Sequence, residues 1–146
     1  MSNDMTNDDK TSDDLTSDDL TSDGPSYFVL DEIEWPDERG APTAPLELVE
    51  EAERLGARRK FLARGEGGFH SQYSEFPPGY AVPLHSHDHD ELILLLDGSC
   101  TMSDGQMLGR HDSMVLRGGH EYGFTAGDGG MVFVTVRGGR PSTTLA

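Results

Sequence analysis

The sequence contains very little cysteine, little positive charge and no long apolar run. Cys100 is its only cysteine, so the chain can form neither an internal disulfide nor a zinc site built on several thiolates. The longest apolar run, residues 92–96, is far shorter than the roughly 20 residues that cross a membrane as a helix. These absences argue against a disulfide scaffold and a transmembrane helix, and a lone thiol fits a reducing cytoplasm.

Positive charge is scarce throughout the chain. Eleven Lys and Arg residues stand against 27 Asp and Glu residues, which gives a formal charge of −16. Nucleic-acid phosphates and anionic membrane surfaces both bind to clusters of basic side chains, and the one basic run, residues 58–60, adjoins apolar residues. We therefore expect neither a nucleic acid nor a membrane as a partner. The first residues lack the basic and apolar regions of a signal peptide, so we expect a cytoplasmic protein.

The first 24 residues differ in composition from the rest of the chain. They repeat a pentad of the type Thr-Ser-Asp-Asp-Leu and hold eight Asp against the single basic residue Lys10, a net charge of −7. Such a segment buries too little apolar surface to offset the entropy lost on ordering. We predict a disordered acidic tail over residues 1–24. Residues 25–146 are enough for one hydrophobic core, so we predict a single domain there.

Residue spacing predicts one helix and many strands. Leu48, Ala52 and Leu55 recur at helical intervals and Gly56 follows as a stop signal, so we predict a short helix over residues 46–55. Prolines at 36, 42 and 45 predict a loop before it. Short strand patterns separated by Gly, Pro and Asp turns fill the rest, which predicts an all-β sandwich or barrel. The predicted strands lie near residues 58–63, 69–76, 80–84, 91–97, 99–103, 106–108, 112–117, 120–126 and 131–137.

Residues 85–91 place three imidazoles and three carboxylates within seven positions. In an extended segment His85, His87, His89 and Glu91 point to one face, because side chains alternate along a strand. Two imidazoles and a carboxylate suit a divalent transition metal such as Fe, Zn, Mn or Ni, and they leave open positions for chemistry. Four such groups extend over about 20 Å of straight strand and cannot all reach one ion. We expect a bend, and we expect His89 to be the residue left out.

The spacing around this cluster resembles the first signature motif of the cupin superfamily. The motif residues are Gly79, His85, His87, Glu91 and Gly98. The resemblance covers residues 60–138 and implies a double-stranded β-helix, the jelly-roll or cupin barrel, as the core of the domain. It also implies that His85, His87 and Glu91 hold one metal ion in the mouth of the barrel, and that the protein forms a homodimer.

The second cupin motif is degraded in this chain. In the family it supplies a fourth ligand from a histidine, and anchoring on Asp112 and Gly119 puts Tyr122 in that position. Three interpretations remain open. A bulge at Gly118-Gly119 could bring His120 to the metal as the fourth ligand; Tyr122 could act as a phenolate ligand or an acid/base group; or water or substrate could take the position. We expect His120 and Tyr122 both to line the pocket.

The resemblance implies a class of function and no particular substrate, because this fold hosts many activities. We expect a metal-dependent enzyme acting on a small molecule, either an oxygenase or an isomerase, cyclase or lyase, in which His120 or Tyr122 moves a proton. The alternative is a non-catalytic cupin that binds or senses a small molecule around a structural metal. Arg110, Arg117 and Arg137 are candidates for binding a substrate carboxylate, and we favour Arg117.

Overall fold

The computed structural model describes residues 24–36, 45–139 and 142–146. The predicted disordered tail, apart from Gly24, and most of the predicted loop before the helix lie outside these ranges. No helix within them is both long and apolar enough to cross a membrane. After a 3₁₀ turn at Leu30–Glu32, the main elements are α1 (Leu46–Leu55), β1 (Arg58–Arg64), β2 (His70–Phe76), β3 (Ala81–Ser86), β4 (Glu91–Met102), β5 (Met107–Gly109), β6 (Ser113–Leu116), β7 (Tyr122–Arg137) and β8 (Thr144–Leu145).

The eight strands of the described chain fold into two antiparallel layers that share β4 and β7. In one layer, the first half of β4 pairs with β6 and with the second half of β7, and β2 and β1 continue the sheet beyond β7. In the other layer, the second half of β4 pairs with β5 and with the first half of β7, and β3 and β8 continue the sheet. Two such layers enclose one interior, so the predicted all-β jelly roll is confirmed.

The two shared strands are longer than the sequence predicts. The turn-type residues at Gly98 and at 127–130 predict a chain reversal at each place, but the structure has one continuous strand there. The strands instead bend at these positions, with shifts in register on both sides of Gly98, and pairing resumes with Cys100 opposite Ala126. Glycine at positive φ allows the bend without ending the ladder.

Two glycines of the first motif have different surroundings, so we expect their replacement to lower the stability of the protein by different amounts. Gly98 and Gly79 both have positive φ, 77° and 75°. A Cβ on Gly98 would lie 2.1 Å from the carbonyl oxygen of Gly130, whereas a Cβ on Gly79 would meet nothing within 4 Å. We expect Gly79→Ala to lower the free energy of unfolding by about 1–2 kcal/mol and Gly98→Ala by about 2–5 kcal/mol. Equal losses in urea denaturation would contradict this explanation.

The predicted helix is confirmed as α1. It ends at Gly56, whose φ of 95° is left-handed and whose N–H donates back to the carbonyls of Ala52 and Glu53, a common C-terminal cap. The helix buries Val49, and its residues Leu48, Val49 and Ala52 line the internal cavity. The helix therefore helps to form the wall of the cavity.

Alternate residues of β4 face inward and outward, as the strand period requires. Ile93 and Leu95 are 2% and 0% exposed, while Leu92 and Leu94 remain 45% and 40% exposed. The sequence leaves two candidate covers for this outer face, the N-terminal segment with its helix or a second subunit. Leu92 and Leu94 are thus exposed within the described ranges, and both candidate covers stay predictions.

Candidate functional site

One end of the barrel interior holds a group of buried polar side chains, the five residues His85, His87, Glu91, Tyr122 and Arg137. Strand pairing assembles it, because His85 lies opposite Tyr122 and Glu91 lies opposite Arg137. The ring centroids of His85 and His87 are 4.9 Å apart, and that of Tyr122 is 4.4 Å from His85. All five residues line one cavity of about 470 Å³.

Backbone carbonyls orient both imidazoles. His85 Nδ1–H donates to the carbonyl of Pro83 at 2.9 Å, and His87 Nδ1–H donates to the carbonyl of Ser142 at 2.6 Å. A carbonyl only accepts, so each Nδ1 carries the proton and each neutral ring keeps its lone pair on Nε2. Burial lowers the pKa of His87, against the opposing effect of Glu91, which favours the neutral form that binds metals.

The carboxylate of Glu91 is held from both sides. Its Oε1 accepts the hydroxyl of Tyr122 at 3.0 Å, and its Oε2 accepts Arg137 Nε at 2.5 Å. Burial raises the pKa of Tyr122, and the negative charge of Glu91 raises it further. In the structure, the hydroxyl of Tyr122 is therefore a hydrogen-bond donor to Glu91.

Gln72 on β2 extends this network toward the mouth of the cavity. Its Oε1 accepts Arg137 Nη1 at 3.1 Å and Arg59 Nη1 at 3.3 Å. The alternating pattern of β2 does not by itself tell which face points inward, and Arg117, the favoured arginine, is exposed. The sequence leaves open whether Gln72 faces the pocket, and our preference for Arg117 ranked Arg137 too low. Only the pairing of β2 and β4 with β7 reveals their contact.

The donor chemistry of this group fits a transition-metal ion, although the side chains are not all in ligating positions. His87 Nε2 and Glu91 Oε2 lie 3.3 Å apart, and two ligands at about 2.0–2.1 Å from a tetrahedral ion are separated by roughly 3.3 Å. Within the described ranges, no three His, Cys, Asp or Glu side chains converge on one ion position. Binding of an ion by His85, His87 and Glu91 together therefore requires a side-chain adjustment.

The structure does not bring His120 to this group. The residue is exposed and does not line the cavity, contrary to the sequence expectation. That expectation assumed a strand from residue 120, but β7 begins at Tyr122, and His120 belongs to a turn in which its N–H donates to the carbonyl of Arg117. Strand alternation does not apply in a turn, so Tyr122 points inward without His120.

The segment between His87 and Glu91 packs on the turn at Gly118-Gly119. Gly119 N–H donates to the carbonyl of His87 at 2.7 Å, and Gly118 N–H donates to Asp90 Oδ1 at 2.8 Å. A Cβ on Gly118 would lie 2.9 Å from the backbone nitrogen of His89. His89 is accordingly half-buried, where the sequence suggested an exposed crest. Gly118 and Gly119, which belong to the degraded second motif, thus position the backbone of the first motif.

Aromatic side chains form the rest of the cavity wall. Phe76 lies at the centre, with its ring centroid 4.6 Å from that of Tyr80, 5.0 Å from Phe133 and 6.0 Å from Phe124. The ring of Phe124 stacks parallel to that of Tyr122. The cavity therefore has a polar end and an apolar body, as small-molecule pockets commonly do.

Comparison with solved structures identifies this architecture. KdgF from a Halomonas species superposes with a TM-score of 0.60 at 19% identity, over 80% of this chain and 96% of that one. The polyketide cyclase RemF from Streptomyces resistomycificus gives a TM-score of 0.62 at 19% identity, over 84% and 86%. An RmlC-like cupin from Shewanella frigidimarina gives 0.59 at 18% identity, over 80% and 94%. The chain has a cupin fold.

At these identities the comparisons establish the cupin fold alone. No family model matches the chain, and no curated protein matches it. Of the first-motif residues, His85, His87 and Glu91 line the cavity and Gly98 lies at the bend of β4; their role as metal ligands stays a prediction. The activity must be argued from the site itself.

Proposed function

We propose that the protein is a cupin-type metalloenzyme acting on a small organic molecule, with one divalent transition metal held by His85, His87 and Glu91. The supporting observation is the pair formed by His87 Nε2 and Glu91 Oε2, 3.3 Å apart in a buried site. Because His87 Nδ1–H already donates to Ser142, both facing atoms are acceptors. Two buried acceptors at this distance form a favourable place for a cation or a shared proton, beside the bond that Glu91 already accepts from Arg137.

The residues around this pair have separable roles. The two backbone carbonyls fix the imidazoles with Nε2 toward the cavity, and Arg137 and Tyr122 orient the carboxylate of Glu91. The aromatic wall excludes water from the substrate. The hydroxyl of Tyr122, whose one hydrogen donates to Glu91, is the cavity group that would relay a proton between this carboxylate and a substrate. A bound ion would supply Lewis-acid or O₂ chemistry, which leaves an oxygenase and an isomerase, cyclase or lyase as the candidate classes.

A non-catalytic cupin that binds or senses a small molecule is the second candidate. It is favoured by the saturation of Glu91, whose two oxygens are already held by Tyr122 and Arg137, and by the absence of His120 from the cavity lining. In that case the ion stabilises the barrel mouth and no side chain needs to move a proton. The same metal ligands serve both candidates.

Metal analysis of anaerobically purified protein tests the proposal. We expect mass spectrometry to find about one transition-metal ion per chain. The identity of this ion, iron on the one hand or zinc, manganese or nickel on the other, would indicate which reaction classes to assay. A protein that binds none of these ions on addition would refute the metal site. A loaded protein that binds small molecules without converting them would support the second candidate. The predicted homodimer and cytoplasmic location stay predictions.

The C-terminal residues are expected to control metal affinity. The carbonyl of Ser142 holds His87 Nδ1, and β8 pairs with His85 and Ser86 on β3. Loss of such an outer partner typically weakens metal binding 10- to 100-fold. We expect a chain ending at residue 141 to bind zinc about 10–100-fold more weakly in calorimetric titration.

Removal of residues 1–24 provides the matched truncation. We expect that variant to keep its metal content and melting temperature, since the predicted tail contributes no site residue. The Leu145→Ser variant, which keeps the Ser142 carbonyl, is a second control. Unchanged zinc affinity in the chain ending at 141 would show that the carbonyl does not orient His87.

A further inference from the structure

The charges that line the cavity point to the kind of ligand it binds. We propose that the cavity binds a ring compound carrying a carboxylate, with the carboxylate held beside Arg137 at the polar end and the ring packed on the aromatic wall. This inference rests on the proposed metal site and adds a substrate class to it.

The first step is the balance of charge around the cavity. The charged lining residues are Glu53, Arg58, Arg59, Glu91 and Arg137. Arg58 is paired with Glu75, which does not line the cavity, and the four remaining charges cancel. A divalent ion at Glu91 then leaves an excess of two positive charges beside the buried pair of Glu91 and Arg137, inside a chain whose formal charge is −16. Buried charge is costly unless paired, so the metal-loaded cavity favours an anionic ligand.

The second step is the position of Arg137. Its described hydrogen bonds, from Nε to Glu91 and from Nη1 to Gln72, use two of the five N–H donors of a guanidinium. Those bonds fix the plane of the group between β2 and β4 while the residue lines the cavity. A planar, fixed guanidinium is well suited to a carboxylate.

The third step is the apolar body of the cavity. Phe76, Phe124 and Phe133 present ring faces and edges within 5.0–6.1 Å of one another. The volume of about 470 Å³ corresponds to roughly 15 water molecules at about 30 Å³ each, far more than a two-carbon acid fills. A ring of one or two cycles matches both the space and the aromatic surfaces.

The arrangement also couples the ligand to the metal. In the metal-free protein the guanidinium of Arg137 is neutralised by Glu91, and an entering carboxylate meets little excess charge. A divalent ion shares Glu91, so the positive charge of Arg137 is no longer fully compensated. Ion and carboxylate should therefore strengthen each other's binding, and linkage makes this effect reciprocal.

The test compares 1-naphthoate with 1-naphthamide, a neutral compound of nearly the same shape, by calorimetric titration of zinc-loaded and metal-free full-length protein. We expect zinc-loaded protein to bind naphthoate at least about tenfold more tightly than naphthamide, and the preference to shrink without zinc. Arg137→Gln should abolish the preference and Arg137→Lys should retain part of it. The exposed Arg117 provides the control, since Arg117→Gln should leave the preference unchanged.

Zinc content measured on the same samples separates the two proposals. A loaded protein that binds both compounds equally overturns the carboxylate site and leaves the metal site standing. A protein that takes up no zinc yet prefers naphthoate refutes the metal site and supports Arg137 as the sole anchor. Lack of both zinc and preference overturns both. If Arg137→Gln does not fold, Arg137→Lys and Gln72→Ala carry the test. Both should show a reduced preference for naphthoate, and a full preference in both would overturn the carboxylate site at Arg137.

Discussion

Replacing Arg137 with glutamine is expected to lower the free energy of unfolding of the metal-free protein by about 3–5 kcal/mol. The guanidinium and the carboxylate of Glu91 are 7% and 1% exposed and 2.5 Å apart. Removing one member of such a pair leaves the other charged, buried and without its counter-ion, because Tyr122 supplies only a neutral donor. Urea denaturation in the presence of a chelator measures the loss.

A double-mutant cycle separates the interaction between Arg137 and Glu91 from the other effects of changing each side chain. We expect Glu91→Gln combined with Arg137→Gln to recover much of the stability lost in Arg137→Gln, since no unpaired charge is then buried. Arg117→Gln, a change of the same chemistry at an exposed position, should change stability by less than about 0.5 kcal/mol. A loss below about 1 kcal/mol for Arg137→Gln would mean that water reaches Glu91 and that the buried pair contributes little.

The parts of the fold that sequence predicts are those set by local spacing. The helix over residues 46–55 follows from apolar periodicity and a glycine stop, and the structure has the same bounds. The continuity of β4 and β7 could not be predicted, because a glycine such as Gly98 is as compatible with a hairpin turn as with a bend inside one continuous strand. The choice depends on Met131 and Ala126 in another strand, and local sequence carries no information about that pairing.

The residues of the candidate site also divide into those that local spacing predicts and those that it does not. His85, His87 and Glu91 lie within seven residues, so their common face follows from strand alternation. Arg137 reaches Glu91 over 46 residues, and the carbonyl of Ser142 reaches His87 over 55. Such partners depend on sheet register and on the path of the chain terminus, and a backbone carbonyl has no signature in the sequence.

The strand boundary at Tyr122 explains the wrong expectation for His120. A two-residue interval places side chains on one face only where both residues are extended. A bulge at Gly118-Gly119 would need a continuous strand around it, but Gly119 has a φ of 81° and forms a turn that ends just before β7. The glycines therefore support the segment between His87 and Glu91 by close packing.

Replacing His87 with alanine is expected to abolish stoichiometric metal binding. The substitution removes Nε2, the atom that lies 3.3 Å from Glu91 Oε2, and leaves one imidazole and a carboxylate already held by Arg137. Since loss of an outer partner alone weakens metal binding 10- to 100-fold, we expect loss of the ligand itself to weaken zinc binding by at least about 100-fold. Elemental analysis and zinc titration of the purified variant measure the effect.

The exposed His120 provides the matched control for this substitution. His120→Ala removes the same side chain from a position outside the cavity, so we expect it to keep the metal content and affinity of the wild type. Circular dichroism and urea denaturation of both variants establish that each is folded. Wild-type metal content in His87→Ala would refute the assignment of the ligands. A loss of metal confined to His120→Ala would show that the turn before β7 moves inward to complete the metal site.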